Sequence, residues 1–176
     1  MNVVGLAIDA GTQSPIILLR DPSSRRQVPI WIDATQAHNL INALRKNKLP
    51  SKCTHDLALS FLHAGNLKID RVIINGIEEK TFRSILKLIP IDLDEGSSRK
   101  KEFIELDARP SDAIALAIRE NCSIWMLESV LAEASISVNA EADQEDQHEF
   151  RRFLEEVSPA DIIRHLNEKK NNPPED

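Results

Sequence analysis

Over the first thirty residues apolar and polar positions alternate; beyond them apolar residues recur every third or fourth position, so strands are followed by helices. Val3–Asp9, Pro15–Arg20 and Gln27–Ile32 read as three short strands, separated by the turn Ala10-Gly11-Thr12-Gln13 and the loop Asp21-Pro22-Ser23-Ser24. Asp33 has the character of an N-cap, and Gln36 three residues later completes a capping box. Ala37, Leu40, Ile41 and Leu44 then fall on one helical face, which predicts a helix over 33–46. Thr54 opens a second helix, with Leu57, Ala58, Phe61 and Leu62 as its expected buried stripe and Gly65 as its C′ stop.

A second meander follows. Residues 68–78 and 80–92 are long and rich in Val, Ile and Phe, joined by a tight turn at Glu78-Glu79, and 103–107 returns after a polar loop. Pro110 suits the first turn of a helix over 110–120. Its Ala113, Ile114, Leu116, Ala117 and Ile118 are apolar nearly all round, so it is expected to be the most buried helix. Residues 123–127 form a short strand and 128–134 a short helix. The fold class is therefore α+β, with two antiparallel or mixed β-meanders each followed by helices, because strands arrive in runs rather than alternating with helices. Residues 1–134 read as a single domain and 135–147 as an acidic linker. A C-terminal helical extension is expected over 148–170, with the capping box Ser158-Pro159-Ala160-Asp161, and a disordered tail over 171–176.

Composition narrows the function classes. No apolar run reaches the roughly 18 residues of a membrane span, and Met1–Asp9 lacks the pattern of a signal peptide, so no membrane contact and a cytoplasmic location are expected. Cys53 and Cys122 are the two cysteines of the chain, too few for a disulfide framework or a four-thiolate zinc site, and both read as reduced and structural. Residues 1–139 carry 17 Lys+Arg against 17 Asp+Glu, while 140–176 carry 5 against 11. A neutral body argues against a broad, non-specific grip on nucleic acid. Two basic clusters remain, Arg45 with Lys46, Lys48 and Lys52, and Arg99 with Lys100 and Lys101; they read as a helix C-terminal complement and a solvated loop. With 5 glycines and no GxGxxG or GxxxxGK[ST], no nucleotide cofactor is expected.

Three segments carry a resemblance. Val28-Pro29-Ile30-Trp31-Ile32-Asp33, Thr54-His55-Asp56-Leu57 and, above all, Ile104-Glu105-Leu106-Asp107-Ala108-Arg109-Pro110-Ser111-Asp112-Ala113-Ile114-Ala115-Leu116-Ala117 are similar, in order and spacing, to the bifunctional nuclease family of bacteria and plants. The similarity spans about Val3 to Ala134, with a weaker echo at 153–161. It implies an α+β homodimer that cleaves both RNA and DNA. Two positions depart from the family pattern: Gln36-Ala37 stands where Glu-Ala is usual, and Ser51-Lys52 where Arg-Pro is usual. Gln serves a capping box as well as Glu does, but it is a weaker metal ligand.

Metal-assisted phosphodiester hydrolysis needs clustered carboxylates to hold Mg²⁺ or Mn²⁺. The candidate ligands are Asp56, Asp107 and Asp112; His55 is the candidate general base, and Arg109 the group that binds a phosphate or clamps a carboxylate. Each also has a structural reading. Asp56 and Asp112 suit the positive ends of their helices, Asp107 can pair with Arg109 or cap backbone N–H groups, and His55 can be a surface residue. Trp31 and Trp125 sit in short apolar strands and are expected in the core, leaving no base-stacking surface visible. Two functions follow: an RNA- and DNA-cleaving enzyme, or a non-catalytic regulator docked on transcription or RNA-processing machinery such as RNA polymerase.

Overall fold

The computed structural model of the protein describes residues 1–45, 53–91 and 103–138. Expectations for 46–52, 92–102 and 139–176 lie outside the described residues; they include both basic clusters apart from Arg45, most of the acidic linker and the C-terminal helix. The chain divides into two compact units, Asn2–Arg45 with Ser135–Asp176, and Met1 with Lys46–Ala134. Among the described residues there are two four-stranded sheets and four helices, an α+β architecture as expected.

The first unit is the N-terminal meander. β1 (Asn2–Ile8), β2 (Pro15–Arg20) and β3 (Arg26–Trp31) pair antiparallel in sequence order. β8 (Ile136–Ser137) extends the sheet on β3, opposite Arg26 and Gln27, so the start of the expected linker is a strand. α1 (Ala34–Leu44) begins as the sequence indicates: the Asp33 carboxylate accepts from the Gln36 N–H, and the Gln36 side chain accepts from the Asp33 N–H. Its buried residues are Ala37, Leu40, Ile41 and Ala43, which close over Ile17, Leu19, Val28 and Ile30 as one apolar core.

The second unit is the mixed sheet β6-β5-β4-β7 with helices on one face. α2 (Thr54–Ala64) leads into β4 (Leu67–Glu78), which pairs antiparallel with β5 (Thr81–Pro90); β5 pairs antiparallel with β6 (Ile104–Ala108). α3 (Pro110–Glu120) then returns the chain to β7 (Ser123–Met126), parallel to β4, and α4 (Glu128–Ala134) follows. The β4–β5 turn is centred on Glu79 and Lys80, with φ of 49° and 64°, one residue later than the sequence suggested. Positive φ at both central residues is the mirror-image turn whose twist matches that of the strands. Pro110 fixes the first turn of α3, and Asn121 (φ 58°) closes it in the left-handed conformation. Pro110, Ser111 and Ala113–Ala117 are all buried, the largest buried share of the four described helices.

Three expectations are corrected. The buried face of α2 carries His55 and Leu59, whereas Leu57 and Phe61 are exposed, at 48% and 69%. Leu59 and His55 lie one turn apart on the side that meets β4 and α3, so the helix is rotated relative to the apolar stripe read from the sequence. Gly65 ends α2 with φ −85°, and Asn66 (φ 57°) takes the left-handed position expected of the glycine. Trp31 and Trp125 are not in the core; each is 52% exposed. Alternation is the reason: Ile30 and Ile124 are buried beside them, so the tryptophans stand on the opposite sheet faces. Adjacent residues of β4 test which face packs. Ile74→Ala, at a fully buried position, is expected to cost about 2–5 kcal/mol in urea unfolding, and Ile73→Ala, facing away from the helices, about 1 kcal/mol or less.

Candidate functional site

In the second unit the starts of α2 and α3 bring together three of the five candidate residues, His55, Arg109 and Asp112. α3 starts immediately after β6 because Arg109 is extended (φ −65°, ψ 142°) ahead of Pro110, and Asp112 therefore lies in the first turn. One Asp112 oxygen accepts from Arg109 Nε at 2.7 Å, and the other meets His55 Nε2 at 3.2 Å. Burial alone would raise the Asp112 carboxyl, but the bonds and charges of Arg109 and His55 outweigh it and hold the group below its ordinary value. His55 is buried, and its Nδ1 has no partner among the described residues. The ionised Asp112 carboxylate only accepts, so His55 Nε2 donates to it. Nδ1 is buried, so His55 positions Asp112 rather than facing a solvent-borne proton.

Asp56, one residue further along α2, is held separately. One carboxylate oxygen accepts from the Cys53 N–H at 2.9 Å, and the other from Arg119 Nε at 3.1 Å. Arg119 is nearly buried and also donates to the Ala115 carbonyl and the Cys53 sulfur, both at 3.2 Å. The Cys53 thiol contact, the Cys53 N–H and Arg119 together lower the Asp56 carboxyl against the opposing effect of burial. His63 Nε2 and Glu120 Oε1, 2.9 Å apart, add another link between the two helices. Arg119 and Cys53 were not singled out from the sequence. Arg119 lies seven residues after Asp112 and so on the same face of α3, which is the signal that would have found it.

Asp107 stands apart. It lies near the end of β6, opposite Ile85, and is exposed. Among the described residues its carboxylate makes no hydrogen bond or ion pair, and the pairing with Arg109 considered above is replaced by Arg109–Asp112. Neither do the described residues include a group of three or more His, Cys, Asp or Glu side chains that could hold a metal ion. Asp56 and Asp112 each commit both oxygens to neighbouring donors. The three aspartates therefore do not fit a ready-made cation site, and no chemical step is assigned to a metal here.

A model of the bifunctional nuclease domain matches residues 17–139, most of the chain and all of the geometry just described. The chain belongs to the bifunctional nuclease domain family. It is similar over 170 residues, at 30% identity, to uncharacterized proteins of Mycobacterium tuberculosis strains CDC 1551 and H37Rv, with 92% of this chain and 96% of each relative covered. Among the described residues no helix is long and apolar enough to cross a membrane.

The Asp112 cluster sets an acid limit. A carboxyl whose folded-state pKa is lowered from 3.8 contributes stability that is present above that value and lost as pH falls through the folded one. The melting temperature of Asp112→Asn is therefore expected to change less than that of the parent between about pH 4 and pH 2. Arg109→Lys is expected to cost no more than about 1 kcal/mol, because the Arg109 side chain is 66% exposed and an exposed pair contributes little. His55→Ala removes a buried partner and is expected to cost about 1–3 kcal/mol by thermal unfolding.

Proposed function

We propose that the protein cleaves phosphodiester bonds of RNA and DNA at the corner where β6 meets α3. The observation that carries this reading is the division of labour at that corner. Asp112, itself held by His55, accepts from Arg109 Nε, and the Arg109 side chain is 66% exposed, in a position where a planar guanidinium suits a phosphate. Asp107, across the same strand end, keeps its carboxylate unengaged among the described residues. The family supports hydrolysis as the chemistry, and Mg²⁺ or Mn²⁺ as the cation implied by resemblance, without supplying a site geometry.

A second reading is favoured by one observation, the commitment of both Asp56 and Asp112 to ion pairs. Carboxylates so engaged suit a structural lock beneath a docking surface, and the protein then acts as a non-catalytic regulator of nucleic-acid machinery such as RNA polymerase.

Labelled RNA and DNA oligonucleotides, incubated with highly purified protein in Mg²⁺, Mn²⁺ or EDTA, separate the two. Cleavage with a divalent metal is expected for the parent. Asp107→Asn is expected to abolish it, and Arg109→Ala to reduce it on the order of 100-fold with the fold intact. Failure of the parent to cleave with either metal, or equal cleavage by parent and both variants, overturns the nuclease reading.

A further inference from the structure

The face of the β6-β5-β4-β7 sheet turned away from the helices carries an aromatic and cationic strip that the site described above does not use. Trp125, Ile73, Ile85 and Asp107 stand directly opposite one another across β7, β4, β5 and β6. In the adjacent row are Ser123, Arg71, Lys87 and Glu105. The Arg71 guanidinium lies 4.6 Å from the centre of the Trp125 ring and 5.6 Å from that of Phe103, and Lys87 Nζ is 5.5 Å from the Phe103 ring. Lysine, phenylalanine, arginine and tryptophan thus interleave across the sheet. The indole N–H is directed to Ser123 Oγ at 2.9 Å, which fixes the ring while leaving Trp125 half exposed.

We infer that this face is a stacking platform for a single strand of nucleic acid. Its exposed rings take bases, and the strand crosses the sheet from Trp125 toward Asp107. The inference rests on the nuclease reading for the identity of the ligand, and it adds the strandedness and path of the substrate. Three inter-strand steps place Trp125 and Asp107 about 14 Å apart, within reach of one short oligonucleotide. Rings alternating with cations are the chemistry of sequence-tolerant base stacking. A paired helix cannot use it, because its bases already stack on one another. The charge balance makes the inference specific. Arg71 is bonded to Asp70 at 2.5 Å and Lys87 to Glu105, and Asp107 lies on the same face, so these groups carry no net positive charge. Binding therefore draws on ring contact more than on phosphate neutralisation and has a shallow dependence on salt.

The test uses the full chain in EDTA, so that binding is read without cleavage, with fluorescein-labelled adenine 12-mers of RNA and DNA and a duplex of the same length. By anisotropy, both single strands are expected to bind more tightly than the duplex, with a log–log salt slope of magnitude below about 2. Trp125→Ala is expected to weaken single-strand binding about ten-fold, Trp125→Phe to retain most of it, and Trp31→Ala to leave it unchanged. Equal binding by Trp125→Ala and parent, a preference for duplex, or a steep salt slope overturns the platform even if the parent cleaves nucleic acid. Binding that meets these expectations in a protein that never cleaves upholds the platform and sinks the nuclease reading. Absence of oligonucleotide binding, with self-association of the parent that Trp125→Ala loses, assigns the face to a second copy of the chain and overturns the inference.

Discussion

α3 packs against both the sheet and α2, with the alanines at 113, 115 and 117 all buried, and the second unit is organised by that packing. A helix that buries three methyl-sized side chains brings its backbone near the strands and carries its polar residues with it. Asp112 at its first turn reaches His55, and Arg119 at its last reaches Asp56 and Cys53. The two helices are thus joined by ionic contacts at both ends of α3, above an apolar floor of Val72, Ile74, Leu86 and Leu88. A larger residue at any of the three alanines would lift the helix and part these contacts together, because they share one rigid support.

That arrangement separates support from chemistry. Asp56 and Asp112 are tied by four donors, which hold both carboxyls below their ordinary value and turn them into fixed anchors. Arg109, paired with Asp112, and Asp107, on either side of the strand-to-helix junction, are the exposed side chains. A half-buried layer that positions an exposed layer is the arrangement that makes a surface site precise to a fraction of an ångström.

Most of the architecture was legible because its signals were local. The Asp33–Gln36 capping box, Pro110 at the start of α3, and the strand runs at 15–20 and 104–108 each depend on neighbours a few residues away. The errors came from orientation. Leu57 and Phe61 form as good a stripe as the residues that α2 in fact buries, and the partner helix, distant in sequence, decided the rotation toward His55 and Leu59. The tryptophans were assigned by their bulk, although the alternation through Ile30 and Ile124 places them outside. At the candidate site, the sequence singled out His55, Asp56, Arg109 and Asp112 as residues but not their pairings. The contact of His55 with Asp112 and that of Asp56 with Arg119 span 57 and 63 positions, and no local pattern encodes them.

Among the described residues strand β6 ends the sheet, its edge row of backbone donors and acceptors flanked on one side by the exposed Ile104 and Leu106. Such an edge invites a second strand. Its other side chains oppose one: the antiparallel register that overlaps all five residues sets Glu105 of each copy against Asp107 of the other, a like-charge pair made twice. Lys87 offsets one acid of each pair within its own sheet, and Asp107 has no such compensation among the described residues. The Asp107 carboxylate thus protects the edge against growth into a continuous sheet, and a variant that neutralises it loses that protection along with its charge.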